Sequence, residues 1–201
     1  MVVSVFNQKI TGKNKMKNIL IVSGHPNLNG SLANATILDE VARELPKVNI
    51  RCLDKLYPTF QFDIHAEQQA LLDADLIVWQ FPFSWYSLPG IMKLWVDEVF
   101  VHGFAHGSTA KLGGKKLLLS FTTGASEEAY TTSGFFGHTI EEYLLPFKTT
   151  AALCNLEYVE AIYTNGVSYA GRDDEEKVSA QKYSAREHAA RLIDSIRNNI
   201  A

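Results

Sequence analysis

Short apolar runs alternate with helix-like patterns along most of the chain. Runs rich in apolar and β-branched residues predict five buried strands at 19–22, 48–53, 76–79, 116–121 and 158–163. Apolar residues recurring every three or four positions predict helices at 31–45, 66–74, 91–100, 139–153 and 174–200. Ser31 is the expected N-cap of the first helix, Pro82 the expected stop of the third strand, and Pro146 an expected kink or break in the fourth helix.

The alternation of strands and helices predicts an α/β fold. Five strands joined through helices favour a doubly wound five-stranded parallel sheet with helices on both faces. The inner side of the 91–100 helix is expected to carry Leu94, Trp95 and Val99. That of the last helix is expected to carry Ala185, Ala189, Leu192, Ile193 and Ile196. Ligands of such folds bind outside the carboxyl ends of the strands, so the loops that follow the strands are the candidate binding site.

Composition narrows the classes of protein that fit. The chain has 201 residues, 46% of them hydrophobic, and a formal net charge of −3, which argues against nucleic acid as a partner. Cys52 and Cys154 are too few and too far apart for a disulfide framework or a metal motif. No apolar run reaches the roughly 18 residues of a membrane span. A reduced cytoplasmic setting is the simplest expectation.

The first sixteen residues differ from the rest. A short apolar start precedes a polar, basic stretch, which is the reverse of the order in a secretory signal. We therefore expect residues 1–16 to be a flexible tail, residues 17–201 to form the single domain, and Met16 to be a possible start.

The loop after the first predicted strand, 24–31, leads directly into a helix. It lacks the G-x-G-x-x-G dinucleotide fingerprint. Free amides and the positive end of the helix dipole favour a phosphate there, with side-chain help from His25, Ser31 and Asn34. The alternative is that this segment is only a turn and a cap.

The loop after the third predicted strand, 80–90, is unusually aromatic. It contains Phe81, Phe83, Trp85 and Tyr86 within six residues. An apolar loop of this kind covers a flat ring or a partner subunit, or else closes the core beneath it. After the fourth strand, the small residues of 121–126 let backbone amides approach a ligand and stabilise developing negative charge. The three loops together suit flavin mononucleotide.

At these positions the chain resembles the NAD(P)H:quinone oxidoreductase family of flavodoxin-like flavoproteins. The similarity is greatest to the ancillary oxidoreductases of glutathione-regulated potassium efflux systems and to the bacterial general-stress quinone reductases. It extends from about residue 17 to residue 196 and is carried by segments 56–63, 74–90, 93–100 and 122–124. The segment 75–100 is the most specific of them.

The resemblance implies a function and a set of flavin-binding residues. Its implied reaction is ping-pong hydride transfer from NADH or NADPH to a quinone, in a cytoplasmic homodimer that holds FMN, with FAD as the alternative. The phosphate end would be held by His25, Ser31, Leu32, Ala33 and Asn34. The ring would be lined by Phe83, Ser84, Trp85 and Tyr86, and the pyrimidine edge covered by Thr122, Thr123, Gly124 and Ala125.

Two departures from the family pattern concern the substrate side. Tyr130 and His138 are the candidate catalytic residues, although their spacing differs by about two residues from that of relatives. Many relatives carry Gly-Gly where this chain has Gly124 and Ala125. A further apolar cluster, Trp95, Val96, Val99, Phe100 and Phe104, exceeds the apparent needs of one core face and predicts a symmetric dimer interface.

Other classes remain open or are disfavoured by motif. The sequence contains no G-x-S-x-G elbow, which disfavours a hydrolase. The spacing of His102 and His106 resembles a metal pair, but no H-E-x-x-H motif accompanies it, so we expect no metal site. One alternative is a regulatory subunit of a potassium efflux antiporter, peripheral at the inner face of the cell membrane. The other is a flavodoxin-type electron carrier.

Overall fold

The computed structural model describes residues 17–170 and 173–201, so the predicted tail at 1–16 lies outside the described residues. Within the described residues, five parallel strands form one sheet in the order β2-β1-β3-β4-β5. Their bounds are β1 Ile19–Ser23, β2 Asn49–Cys52, β3 Leu76–Pro82, β4 Lys116–Thr122 and β5 Glu157–Thr164. The predicted doubly wound α/β architecture is confirmed.

Seven α-helices occur in the part of the chain that the structure describes. Their bounds are α1 Ala33–Glu44, α2 Leu53–Leu56, α3 Ile64–Asp73, α4 Gly90–Val99, α5 Ile140–Tyr143, α6 Leu145–Leu153 and α7 Glu175–Ile200. Helices α1 and α7 pack on one face over an aliphatic core. Helices α3, α4 and α6 pack on the other, over a core rich in aromatic rings. Across the described residues, no helix combines the length and the apolar character that crossing a membrane requires.

Most local predictions hold, and three need correction. The predicted break near Pro146 is present: α5 ends at Tyr143, and Pro146 occupies the first turn of α6. Ser31 is not the N-cap of α1, which is Leu32, although the Ser31 Oγ accepts from the Asn34 amide at 3.1 Å. Pro82 does not stop β3 but is its last residue. Leu94 is 37% exposed rather than buried, because it points away from the sheet while Trp95 and Val99 face it.

The apolar cluster that predicted a dimer interface lies inside the protomer. Trp95, Val99, Phe100 and Phe104 are buried in the aromatic core, and Val96 packs against it. Trp79 contacts both Trp95 and Phe100 edge to face. The sequence argument for a dimer through these residues is therefore wrong, because one protomer already uses them.

The aromatic core also encloses a carboxylate. Glu67 of α3 is fully buried. Its Oε1 accepts from Arg51 Nε at 2.7 Å and from the Tyr57 hydroxyl at 2.6 Å, and its Oε2 accepts from Trp95 Nε1 at 2.9 Å. A buried charge with this many donors is compensated, so the network joins β2, α3 and α4.

Candidate functional site

A cleft of about 290 Å³ opens at the carboxyl ends of β1, β3 and β4. Predicted cofactor-binding residues that line it are His25, Ser31, Ala33, Asn34, Phe83, Ser84, Thr122 and Gly124. The fold thus brings together three loops that are far apart in sequence. Leu32, Trp85, Tyr86, Thr123 and Ala125 lie on the same loops but outside the lining.

The α1 end of the cleft suits an anion. The first amides of a helix have no intrahelical partner, and here they belong to Leu32, Ala33 and Asn34. The Asn34 amide is occupied by Ser31 Oγ. No acidic residue lies in the first turn of α1, and no carboxylate occurs among the described residues that line the cleft. The site therefore has the electrostatics that a phosphate needs.

His25 is buried at this end of the cleft and engaged through both ring nitrogens. Its Nδ1 accepts from the Asn27 amide at 3.1 Å, which leaves the proton of a neutral ring on Nε2. Nε2 lies 3.5 Å from the hydroxyl of Tyr169, a residue of the loop after β5. His25 thus fixes the loop after β1 and connects it to the opposite rim.

The aromatic loop divides into a buried half and an exposed half. Phe81 and Phe83 pack on Phe121 in the core, whereas Trp85 is 91% exposed. Trp85 and Tyr86 have positive φ angles of 50° and 64°, and Ser84 and Ser87 pair across them. Two consecutive positive φ angles are the geometry of a type I′ turn, which strains side chains other than Gly, Asn and Asp. A tryptophan held there in solvent is unexplained by packing within the protomer.

The loop after β4 supplies small residues to the cleft. A Cβ added at Gly124 would contact only the Val167 carbonyl, at 3.9 Å, so the glycine leaves open space toward the cleft. Thr123 faces inward: its amide donates to the Thr164 carbonyl at 2.9 Å, and its Oγ1 lies 2.8 Å from Asn165 Oδ1. Thr123 therefore fixes the conformation of the loop, while Thr122 and Gly124 line the cleft.

Both candidate catalytic residues belong to an aromatic cluster beside the exposed turn. Tyr130 is buried, with its ring 6.0 Å from Tyr143 and its hydroxyl hydrogen-bonded to Thr123. Burial raises the pKa of Tyr130 against the opposing effect of the Thr123 hydrogen bond, and the nearby Tyr86 and Tyr143 raise it further, so the phenol stays protonated at neutral pH. Its ring also packs on Phe136, which makes it a fixed part of this cluster.

His138 occupies a more open position in the same cluster. Its side chain is exposed, its ring lies 6.0 Å from Tyr143, and its Nδ1 lies 3.4 Å from Glu142 Oε1. The Glu142 carboxylate completes a capping box with Thr139 at the start of α5. His138 is therefore accessible to solvent, whereas Tyr130 is packed inside the cluster.

Sequence reasoning missed several residues at the site. Val167, Ser168 and Tyr169 line the cleft from the loop after β5, and Pro82 lines it from the end of β3. Gln80 is buried just beneath the cleft. The sequence pattern could have singled it out, because it is the one carboxamide in an otherwise apolar strand. His102 and His106 have ring centroids 5.4 Å apart. Among the described residues, no third His, Cys, Asp or Glu joins them.

The residues present fit FMN in chemistry and arrangement. A helix N-terminus and a serine hydroxyl suit its phosphate, and an exposed tryptophan turn suits its ring. Small residues beside Gly124 suit the close approach of its polar edge.

Comparison with known proteins defines the class. The family described as having a flavodoxin-like fold matches residues 17–189, and the chain belongs to this family. The chain is 41% identical over 179 residues to the glutathione-regulated potassium-efflux system ancillary protein KefF of Enterobacter sp. (strain 638). That match covers 88% of this chain and 96% of the relative.

Solved structures agree with this placement. General stress protein 14 of Treponema denticola, crystallised in complex with FMN, has a TM-score of 0.77 and 31% identity, covering 89% of this chain and 98% of its own. An NADPH-quinone reductase from P. pentosaceus has a TM-score of 0.68 and 27% identity, covering 83% and 97%. The family resemblance inferred from the sequence is confirmed.

Proposed function

We propose that the protein is a flavin-dependent NAD(P)H:quinone oxidoreductase that binds FMN in the cleft at the carboxyl ends of β1, β3 and β4. The observation that carries the proposal is the convergence on one cleft of the α1 N-terminus, Phe83 and Ser84 of the aromatic loop, and Thr122 and Gly124 of the loop after β4. The FMN complex of the Treponema relative and the NADPH-quinone reductase from P. pentosaceus support it.

Bound FMN would supply the ping-pong hydride chemistry, taking electrons from NADH or NADPH and giving them to a quinone. The chain's own residues bind and orient. Ser31 and the amides of Leu32 and Ala33 would hold the phosphate, with His25 fixing the loop beside them. The turn of Phe83, Ser84, Trp85 and Tyr86 would line the ring, and the loop of Thr122, Thr123, Gly124 and Ala125 would cover its pyrimidine edge.

Tyr130 and His138 act on the substrate side in this proposal. The Tyr130 phenol, whose pKa is raised by burial, donates a hydrogen bond to a quinone oxygen. His138 supplies or relays a proton from its exposed position. Replacing Tyr130 with Phe should lower kcat with a small effect on FMN content, which absorbance of the purified variant measures.

The discriminating experiment is steady-state oxidation of NADH and NADPH with benzoquinone, naphthoquinone and ferricyanide as acceptors. An enzyme of this class turns over with quinones and gives parallel lines in double-reciprocal plots at varied quinone. A flavodoxin-type carrier passes single electrons to ferricyanide or a protein partner without quinone turnover. Absence of turnover by the FMN-loaded protein with every quinone would refute the enzymatic assignment.

A homodimer remains part of the proposal on a different basis from the sequence argument. Trp85 and Phe135 are 91% and 90% exposed, and both lie near the aromatic cluster of Tyr86 and Phe136. A second protomer over this region would cover them. Light scattering at micromolar concentration should give twice the monomer mass, and a Trp85→Ala, Phe135→Ala variant should be monomeric.

The 41% identity with the KefF ancillary protein favours a second role as a cytoplasmic regulatory subunit of a potassium efflux antiporter. Such a subunit would bind the cytoplasmic side of the transporter at the membrane surface. Affinity purification of the protein from detergent extracts of the native host, followed by mass spectrometry, tests this role. Recovery of an antiporter together with the protein supports it, and recovery of the protein without an antiporter opposes it.

A further inference from the structure

A row of buried polar side chains crosses the sheet on the face covered by α1 and α7. Ser23, Gln80 and Ser120 are register partners in β1, β3 and β4, and all three are buried. A carboxamide in the central strand of a sheet needs partners, because an unpaired buried polar group is costly. Gln80 must therefore have hydrogen-bond partners within the core.

Its partners form a chain that runs from the core to the cleft. The Ser23 hydroxyl lies 3.5 Å from Gln80 Oε1, Gln80 Nε2 donates to Asn34 Oδ1 at 2.5 Å, and Asn34 Nδ2 donates to Thr122 Oγ1 at 3.2 Å. All four residues are buried, and Asn34 and Thr122 also line the cleft. Each carboxamide has a donor end and an acceptor end, so the orientation of one fixes that of the next.

The direction of this chain determines what Thr122 offers to a ligand. A hydroxyl that accepts from Asn34 directs its own proton elsewhere, and the open side of Thr122 is the cleft. We infer that Gln80 is a positioning residue that orients Asn34, and through it makes the Thr122 hydroxyl a hydrogen-bond donor to an acceptor oxygen of the flavin. The inference rests on the proposed function, since it needs FMN in the cleft.

The opposite direction is chemically self-consistent and provides the test. If both carboxamides turned over, Asn34 would donate to Gln80 and Thr122 would donate to Asn34. The Thr122 hydroxyl could then only accept a hydrogen bond from a ligand in the cleft. Gln80→Glu imposes that state, because an ionised carboxylate can only accept. We expect about tenfold weaker FMN binding, about 1.4 kcal/mol, as is typical for the loss of one hydrogen-bond donor.

A double-mutant cycle separates orientation from general structural damage. Thr122→Val removes the hydroxyl and should also weaken FMN binding about tenfold. If Gln80 acts through Thr122, adding Gln80→Glu to Thr122→Val should weaken binding no further. Fully additive losses would overturn the inference, because they would mean that Gln80 affects the flavin by another route.

Two further variants keep the test valid if the buried glutamate impairs folding. Gln80→Met matches the length of Gln80 without charge, leaves Asn34 without its donor, and should weaken FMN binding by a smaller factor that also disappears beside Thr122→Val. Ser120→Ala is the matched control: Ser120 is in the same row but bonds His188 at 2.8 Å, away from the cleft. It should lower the midpoint of urea unfolding without changing FMN affinity.

The measurement is titration of full-length, flavin-stripped protein with FMN, followed by quenching of flavin fluorescence. Unmutated protein that binds no FMN would refute the proposed function itself. Unmutated protein that binds FMN, with Gln80→Glu and Gln80→Met binding it equally well, would overturn the inference about Gln80 and leave the flavin site standing.

Discussion

The two faces of the sheet each bury a polar network, and the networks end differently. On the aromatic face, Glu67 is surrounded by Arg51, Tyr57 and Trp95, and its bonds close within the core. On the aliphatic face, the chain that starts at Ser23 and Gln80 ends at the cleft.

The difference indicates how buried polarity is used in this fold. A closed network holds elements together and fixes their register, so its loss should appear in stability. An open chain transmits orientation to a surface where a ligand binds, so its loss should appear in affinity. Glu67→Ala tests the closed network, and variants of His188 on the aliphatic face and of the Trp85 turn extend the comparison, in order of decreasing expected effect.

Glu67→Ala should cost about 3–5 kcal/mol of unfolding free energy, because it leaves the Arg51 guanidinium without its buried carboxylate partner. FMN affinity of the folded fraction should stay within a factor of two, about 0.4 kcal/mol. Urea denaturation monitored by circular dichroism measures the stability. Asp97→Ala, which breaks the exposed pair with Lys93, is the control and should change stability by less than about 1 kcal/mol. A similar small loss for Glu67→Ala would contradict the structural role.

His188 should make the aliphatic face sensitive to acid. Burial, with a smaller effect of Arg191, lowers the pKa of His188 from its usual value to about 3, while its ring bonds Ser120 and Thr164. Below about pH 6.5, His188 is protonated in the unfolded chain but stays neutral in the folded chain. Its contribution to the free energy of unfolding is therefore fully present above that pH and is lost as the pH decreases toward 3. This one group should remove on the order of 2–3 kcal/mol of stability between roughly pH 6.5 and pH 4.5.

The check is the unfolding free energy across that pH range for unmutated protein, His188→Gln and Ser120→Ala. His188→Gln should flatten the pH dependence, because it removes the titrating group. Ser120→Ala should lower stability at every pH with the dependence preserved, because the imidazole remains. Equal slopes in unmutated protein and His188→Gln would show that another group controls the acid response.

Trp85→Ala should weaken FMN binding about tenfold, about 1.4 kcal/mol, and leave the stability of the flavin-free protein within about 0.5 kcal/mol, since the side chain is exposed. Trp95→Ala is the matched control on the aromatic core and should cost about 3–5 kcal/mol. Melting of the flavin-free variants and FMN titration measure both quantities. Severe destabilisation by Trp85→Ala with unchanged FMN affinity would assign the turn to the core.

Trp85→Asn should produce the smallest change and the opposite sign in stability. Asparagine tolerates the positive φ of 50° at this position better than tryptophan does, so the flavin-free protein should gain about 0.5–1 kcal/mol. Thermal melting of Trp85→Asn beside Trp85→Ala isolates the backbone contribution. A lower melting temperature for the asparagine variant would mean that the turn is unstrained.

Local pattern was enough for the fold and for part of the site. The strands at β1, β3 and β4 and the aromatic and threonine loops follow from runs and breaks in the sequence, because parallel strands are buried on both faces. The pattern placed Trp95 on the inner side of its helix but also counted it, with Phe104, in a dimer interface, since apolar content does not distinguish a core from an interface.

The positions that sequence pattern missed depend on contacts between distant segments. Gln80 acquires its role only when Asn34 and Thr122 are brought beside it, and Tyr169 reaches His25 across 144 positions of the chain. The positive φ angles of Trp85 and Tyr86 run against residue preference, so local propensity predicted nothing there.

The most direct test of the central claim, that the cleft is a flavin site, is the visible spectrum of the purified protein with chromatography of the flavin released on denaturation. We expect a yellow protein that releases FMN, one per chain, and that regains it after stripping. A colourless protein that binds neither FMN nor FAD on reconstitution would contradict the account.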